Sequence, residues 1–250
     1  MLTKYQFAVT LPPEIKLNSS YGSIFHGALM ELLPDSYANE LHEKALRPFS
    51  QAVYTDREKG NVWEINSLNE KFQKEIEKLL PDLTDLYLKQ KGFALALKLI
   101  NKKETSYEQL ADNIFLAPQP PRGVSLKLHT ATSFKQNNSY VLFPTAELII
   151  GSLLAKWNTF TDGQTLVENN LKEKLADLVS IYSYRLRSSR FFLEKTNING
   201  FVGTIDFNFH GSDMQKRLLG LLFSFAPYAG IGIKTALGMG AIAANLSYKK

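Results

Sequence analysis

The order of the sequence patterns constrains the fold more than any other feature, because the same succession of strand and helix signals occurs twice. In the first half, apolar periodicity and turn residues predict the order β, α, β, β, α, β, with a short extra helix after the first. The predicted strands are residues 5–11, 49–55, 61–65 and 93–100, and the predicted helices are 23–33, 37–45 and 68–80. This order is the split βαβ pattern of a ferredoxin-like domain.

The second half repeats the plan after a proline-rich segment, which we interpret as a linker. Its predicted strands are residues 124–129, 191–196, 200–209 and 241–246, and its predicted helices are 145–157, 167–183 and 214–224. We therefore predict an α+β fold of tandem ferredoxin-like (RRM-like) domains. The N-terminal domain is predicted at 1–116, the linker at 117–123 and the C-terminal domain at 124–250.

Composition excludes several classes of protein and site. Hydrophobic residues make up 44% of the 250 residues and charged residues 21%, which excludes a disordered or fibrous chain. The absence of cysteine excludes a disulfide framework, a zinc ribbon and a thiol nucleophile. No two of the four histidines have the spacing of metal ligands on one helix, so we expect no metal and no cofactor. The first residues lack a secretory-signal pattern, and no uninterrupted apolar span is present, which predicts a cytoplasmic protein without a membrane partner.

The positive charge is concentrated in the last 80 residues, where 11 Lys and Arg stand against 5 Asp and Glu. Such a one-sided basic region suits a polyanion partner, although many basic surfaces serve only solubility. Within it, Tyr182 and Tyr184 directly precede Arg185, Arg187 and Arg190 in one short cluster. This mixture can hold phosphates while an aromatic ring stacks on a base. The alternative is a solvated basic end of a helix.

A glycine-rich motif follows near the C-terminus: Gly230-Ile231-Gly232, five residues, then Gly238-Met239-Gly240. Glycine corners let the backbone approach a ligand closely and expose N–H groups to phosphate. The motif fits neither a Walker loop nor the dinucleotide fingerprint. The alternative is a bend that packs two strands together.

His42 is the candidate for proton transfer, because Lys44 and Arg47 follow it within five residues. An imidazole beside cations suits chemistry at a phosphate, where the cations stabilise added negative charge. His26 lies on the preceding predicted helix and could approach the same space. For each histidine, a structural role in a short helix is the alternative.

With these features, the sequence resembles a known protein family. The glycine-rich motif, Leu41-His42-Glu43, the segment 128–134 and Gly200-Phe201-Val202-Gly203 resemble CRISPR-associated endoribonucleases of the RAMP superfamily that process precursor CRISPR RNA (pre-crRNA). The resemblance implies tandem ferredoxin-like domains and metal-independent cleavage within repeats. In that chemistry the 2′-hydroxyl attacks the scissile phosphate, leaving a 2′,3′-cyclic phosphate and a 5′-hydroxyl.

The resemblance also assigns residues. His42 corresponds to the catalytic histidine, and Arg47 or Lys44 to the cation at the phosphate. Met30 stands where the family often has a tyrosine, which makes His26 a substitute candidate. The predicted RNA-binding residues are Arg185, Arg187, Arg190, Gly232, Lys234, Thr235 and Gly238. CRISPR repeat RNA is the expected partner, while contact with a CRISPR effector complex and homodimer formation are left open. The alternative function is a non-catalytic RNA-binding subunit of an interference complex.

Overall fold

The first antiparallel sheet is formed entirely by the first 105 residues, and two helices pack against it. The computed structural model describes residues 1–18, 21–161, 163–193 and 196–248. The elements of this half are β1 (Leu2–Thr10), α1 (Tyr21–Leu32), α2 (Asp35–Glu43), β2 (Phe49–Asp56), β3 (Gly60–Ser67), α3 (Glu70–Glu77), β4 (Asp85–Leu88), β5 (Phe93–Thr105) and α4 (Tyr107–Phe115). The strand order is β2-β3-β1-β5-β4. Apart from the added edge strand β4, this is the strand order of a ferredoxin-like sheet.

The second sheet has the same topology. Its half of the chain contains β6 (Gly123–Thr132), β7 (Phe134–Gln136), β8 (Ser139–Val141), α5 (Ala146–Phe160), α6 (Leu171–Ala176), β9 (Val179–Phe192), β10 (Asn197–Phe209), α7 (Asp213–Ala229) and β11 (Ile242–Ser247). The strand order is β11-β6-β10-β9, and β7 and β8 form a separate hairpin. The predicted fold class, α+β with tandem ferredoxin-like units, is confirmed.

Several helix starts follow from local sequence. Ser106 and Ser212 begin α4 and α7 with capping boxes, in which each hydroxyl accepts from the N–H of a glutamine three residues later. The side chains of Asn69 and Thr145 accept from backbone N–H groups at the starts of α3 and α5. The sequence prediction missed α4, although its Ser106-to-Gln109 spacing was a readable signal.

The predicted helix at 167–183 is wrong. The helix in this region, α6, ends at Ala176, and the chain enters β9 at Val179. Strand β9 pairs with β10 along its whole length, from Val179 to Phe192. Its β-branched and aromatic residues favour an extended strand, and the long pairing overrides the helical spacing of the apolar residues. The predicted strand at 191–196 is correspondingly misplaced, and its residues 194 and 195 lie outside the described residues.

A cluster of buried side chains fills the space between each sheet and the helices that pack on it. Trp63 packs between Phe7 and Phe25 in the first cluster. In the second, the ring of Trp157 on α5 contacts that of Tyr107 on α4, with 4.9 Å between centroids. The residues of α4 fall within the predicted N-terminal domain, 1–116, although α4 packs against α5 and α7 of the second half. The domain limits stay a prediction. Among the described helices, none is both long and apolar enough to cross a membrane.

The C-terminal end of α7 joins the two halves. The Lys4 ammonium of β1 donates to the carbonyl of Pro227 at 3.0 Å, and the Ser50 hydroxyl of β2 donates to the carbonyl of Tyr228 at 2.6 Å. The last carbonyls of a helix have no partner within the helix and carry partial negative charge. Side chains of the first sheet therefore satisfy backbone groups of the second half.

A buried ion pair supports this junction. Lys4 Nζ lies 2.7 Å from Glu64 Oε1, and both side chains are largely excluded from solvent. The Glu64 carboxylate also accepts from Gln6, Asn66 and Tyr54. Burial by itself would raise the pKa of Glu64, but the Lys4 charge and these hydrogen bonds hold the pKa below its usual range.

We predict that Lys4→Met lowers the free energy of unfolding at pH 7 by about 3–5 kcal/mol, because it leaves the Glu64 carboxylate buried without its cation. Urea denaturation measures the difference. Lys74→Met is the matched control: its pair with Glu70 is exposed, and such a pair contributes about 0.3–0.5 kcal/mol. Equal losses in the two variants would contradict the importance of the buried pair.

Candidate active site

The two candidate histidines lie next to each other. His26 lies on α1 and His42 in the last turn of α2, with ring centroids 6.3 Å apart and ring planes at 89°. His26 is buried and stacks on Phe49, with centroids 5.9 Å apart, whereas His42 is exposed. The structure therefore brings both residues together, with different access to a substrate.

Burial keeps the His26 imidazole neutral. Burial, assisted by the charge of Arg47 and by His42, lowers the pKa of His26 to about 4. Within the described part of the chain, its Nδ1 has no hydrogen-bond partner. A neutral, enclosed ring cannot serve as a cationic proton donor near pH 7. His42 is the histidine of this pair that a substrate can reach.

The two candidate cations differ in placement. Lys44 forms an exposed ion pair at 2.7 Å with Glu40, which also binds Lys71. The half-buried Arg47 donates from Nε to the carbonyl of Leu41 at 3.2 Å, and burial lowers its pKa. Glu40 neutralises part of the Lys44 charge, so Arg47 is the better placed to bind an anion.

A cavity of about 350 Å³ connects Arg47 to the glycine-rich loop, Gly230–Gly240. We call it the cationic cavity. The residues that line it are Ala45, Leu46, Arg47, Phe49, Lys135, Tyr140, Lys156 and Gly232 to Ala236. No carboxylate of the described residues is among them. His26 adjoins this cavity, because it stacks on Phe49 and interacts with the backbone of Ala236.

Sequence reasoning placed Arg47, Gly232, Lys234 and Thr235 in the site, and the structure brings these four together. It missed Lys135 and Tyr140, which form a cross-strand pair in the β7–β8 hairpin. It also missed Lys156, although a lysine on an otherwise apolar face of α5 was a signal. Nothing in the sequence indicates that these residues approach Arg47, which is about ninety residues or more away along the chain.

The glycines let the loop approach its own protein closely. A Cβ at Gly232 would lie 2.3 Å from the Ser133 carbonyl oxygen, and one at Gly238 would lie 2.8 Å from Gly22 Cα. Both glycines also have positive φ, which disfavours other residues. The N–H of Gly232 donates to Ser152 Oγ at 2.9 Å, and the N–H of Gly240 donates to the Ala131 carbonyl. The packing explanation thus accounts for the glycines, and their RNA-binding role stays a prediction.

The predicted basic cluster lies on strand β9, some way from the histidines. Arg185 and Arg187 point to the same face of the strand and are exposed, and Arg190 points to the other face. Arg187 lines a second cavity of about 560 Å³, together with Arg57 and Lys127. Of the predicted RNA-binding residues, Arg187 and Gly238 line this second cavity, and Gly232, Lys234 and Thr235 line the cationic cavity.

The second cavity, which we call the basic groove, also holds a stacked ring pair. His129 lies against Tyr54 with 4.4 Å between centroids. Burial, and next the charge of Lys127, lowers the pKa of His129. The glycine-rich loop contributes to both cavities, since Gly238 lines the groove and Gly232 to Ala236 line the cationic cavity.

The polar side chains near the cationic cavity are mostly cationic. Over the described ranges, no group of three or more His, Cys, Asp or Glu side chains could hold a metal ion. The polar groups at the cationic cavity are ammonium, guanidinium, hydroxyl and imidazole groups. This set suits an anion.

Comparison with known proteins gives concordant results. The family model of the CRISPR-associated endoribonuclease Cas6 matches residues 126–242, which include β9 and the glycine-rich loop. A Cas6 from Streptococcus thermophilus is 29% identical over 218 residues, covering 87% of this chain and 88% of that protein. A Cas6 from Mycobacterium tuberculosis is 28% identical over 236 residues, covering 94% of this chain and 74% of that protein.

Solved structures agree with the fold. A Cas6 product complex superposes with a TM-score of 0.80 at 22% identity, covering 98% of this chain and 100% of that chain. A Thermus thermophilus Cas6 has a TM-score of 0.71 at 21% identity, covering 98% of this chain and 97% of that chain. The family model covers the glycine-rich loop, the relatives extend over both halves, and the fold is shared throughout, so this chain is similar over its whole length to CRISPR-associated endoribonucleases of the Cas6 family.

Proposed function

We propose that this protein is a pre-crRNA-processing endoribonuclease that cuts CRISPR repeat RNA by a metal-independent mechanism. The observation that carries the proposal is the pair of His42 and His26 beside a cavity whose charged lining residues are all cations. Phosphodiester cleavage needs a proton-transfer group next to positive charge, because the transition state adds negative charge at phosphorus. The names of the relatives, each a CRISPR-associated endoribonuclease, support the same reaction class.

In the proposed reaction, the 2′-hydroxyl upstream of the scissile phosphate attacks phosphorus and loses its proton to a base. The bond to the 5′-oxygen breaks, and that oxygen takes up a proton. The products are a 2′,3′-cyclic phosphate and a 5′-hydroxyl, so no water or metal is consumed. His42 carries one of the two proton transfers, since it is the exposed member of the histidine pair.

The neighbouring residues have distinct roles in this proposal. The Arg47 guanidinium stabilises the charge that develops on the phosphoryl oxygens, and the Lys234 ammonium binds an adjacent phosphate. Lys44 contributes a weaker field because it is paired with Glu40. The buried His26 ring packs between His42 and Phe49 and limits the positions that the His42 ring can take.

We infer that the RNA passes over the glycine-rich loop, which contributes residues to both surfaces. One stretch of backbone lies in the basic groove against Arg57, Lys127 and Arg187, and another in the cationic cavity. Arg190 points away from the groove, so it is not part of this path. Delivery to an effector complex and dimerisation stay predictions.

We predict that His42→Ala slows single-turnover cleavage of repeat RNA by about 10²–10⁴-fold, the usual cost of losing a general acid or base. RNA affinity should change little, because the imidazole moves a proton and does not bind a phosphate. His210→Ala is the matched control, since His210 is exposed and bonded to Ser180 at a distant strand end. Unchanged cleavage by His42→Ala, with loss of cleavage by His26→Ala, would transfer the role to His26.

The chemistry itself has a separate test. Cleavage by the wild-type protein should continue in excess EDTA, and a repeat with one deoxyribose directly upstream of the cut should bind but stay intact. Product analysis should detect a 2′,3′-cyclic phosphate. Dependence on added magnesium, or cleavage of the deoxy substrate, would refute internal attack. Binding without any cleavage of the unmodified repeat would favour the non-catalytic subunit.

The path of the RNA predicts a difference between two faces of β9. Each lost phosphate contact should lower the slope of log K against log salt by roughly 0.7 for single-stranded RNA, so Arg185→Ala and Arg187→Ala should each flatten it. Arg190→Ala, which removes the same charge from the opposite face, should leave the slope unchanged. Equal slopes in all three variants and the wild type would place the RNA elsewhere.

A further inference from the structure

Lys156 is a buried lysine that the proposed chemistry does not use. It lies on α5 next to the core residue Trp157, with only 4% of its surface exposed. Its ammonium donates to the carbonyl of Ala229 at 3.1 Å and to that of Gly230 at 2.9 Å. No carboxylate of the described residues forms an ion pair with it. A lysine buried without an anion is costly, which points to a specific role.

Its two partners mark the point where α7 ends and the glycine-rich loop begins. Carbonyls at a helix C-terminus carry partial negative charge and favour a cation. One turn earlier on α5, Ser152 Oγ accepts from the N–H of Gly232 at 2.9 Å. Helix α5 thus binds three backbone groups: one at Ala229, the last residue of α7, and two in the first three residues of the loop.

The loop depends on such contacts for its shape. Gly230, Gly232 and Lys234 all have positive φ, and glycine has the largest backbone freedom to lose on ordering. The third of these residues carries the ammonium that faces the cationic cavity. Fixing the start of the loop therefore fixes the position of a charge that the proposed function uses.

Lys156 also contributes to the electrostatics of the cavity wall. Burial lowers the pKa of Lys156 to about 7, so its charge changes near neutral pH. The other titratable groups that line this cavity are Arg47, Lys135, Tyr140 and Lys234, with His26 adjacent. None of these is a carboxylate, so an anion in the cavity favours the protonated form of Lys156.

We propose that Lys156 is a positioning residue, which holds the glycine-rich loop and thereby places Lys234 and Thr235 for RNA binding. The proposal rests on the proposed function for the role of the cavity. Its structural part, the restraint of the loop, concerns the free protein as well.

The test compares Lys156→Met, which keeps the length of the side chain but removes the donors, with the wild type. In the free protein, hydrogen exchange of amides in the loop should become faster. Affinity for repeat RNA should fall by about tenfold, the size expected when a misplaced Lys234 loses one charge-assisted hydrogen bond to a phosphate. Thermal melting confirms folding, and Lys174→Met, an exposed lysine paired with Glu168, is the matched control.

The pH dependence of RNA binding tests whether Lys156 positions the loop through its charge or only through the packing of its side chain. Wild-type affinity should weaken more from pH 6 to 8.5 than that of Lys156→Met, because the wild type loses the Lys156 proton and the variant has none. Lys156→Arg keeps its positive charge over this range. Its RNA affinity should therefore change between pH 6 and pH 8.5 only as much as that of Lys156→Met.

Two results would overturn the proposal: wild-type loop exchange in folded Lys156→Met, or equal pH dependence in the wild type and the folded variants. If Lys156→Met does not fold, the comparison of Lys156→Arg with the wild type decides: the RNA affinity of the wild type should weaken more from pH 6 to pH 8.5. Faster loop exchange without any RNA binding by the wild type would refute the proposed function and leave the loop restraint standing.

Discussion

The end of α7 is the junction on which the arrangement of the site depends. Four consecutive carbonyls, from Pro227 to Gly230, accept hydrogen bonds from side chains of β1, β2 and α5. A helix end leaves its carbonyls unsatisfied, and burying them without donors would cost free energy. Because Lys4 and Ser50 belong to the first sheet and Lys156 to the second half, satisfying these groups fixes the two halves against each other.

The glycine-rich loop follows directly from this junction, and its position determines both surfaces. It approaches Gly22 at the start of α1 and Ser133 after β6 so closely that a Cβ at Gly238 or Gly232 would clash. Gly238 of the loop lines the basic groove, and Gly232 to Ala236 line the cationic cavity. Residues of both halves line each of these surfaces, so neither half forms them alone.

The electrostatics of the site follow from unequal burial of similar groups. His26 and His42 are neighbours, yet burial keeps one neutral and leaves the other accessible to solvent. The buried Glu64 carboxyl stays charged, because its Lys4 partner and its hydrogen bonds lower its pKa more than burial raises it. Lys156 has carbonyl partners, and no described carboxylate pairs with it, so burial determines the direction in which its pKa shifts. Partners, more than residue type, decide which groups stay charged.

The sequence by itself determined the fold class, most of the strands and helices, and the nearness of His42 and Arg47, because periodicity and short spacings are local properties. It missed α4 and the short strands β4, β7 and β8. It failed at β9, where apolar spacing predicted a helix and pairing with β10 imposed a strand. It placed the arginines of β9 in one RNA-binding set with Lys234, and this set stays a prediction; the structure adds that Arg187 and Lys234 line different cavities. Only the tertiary structure brought Lys135, Tyr140 and Lys156 to Arg47, because contacts between residues about ninety or more positions apart depend on how the two sheets pack, which no local pattern encodes.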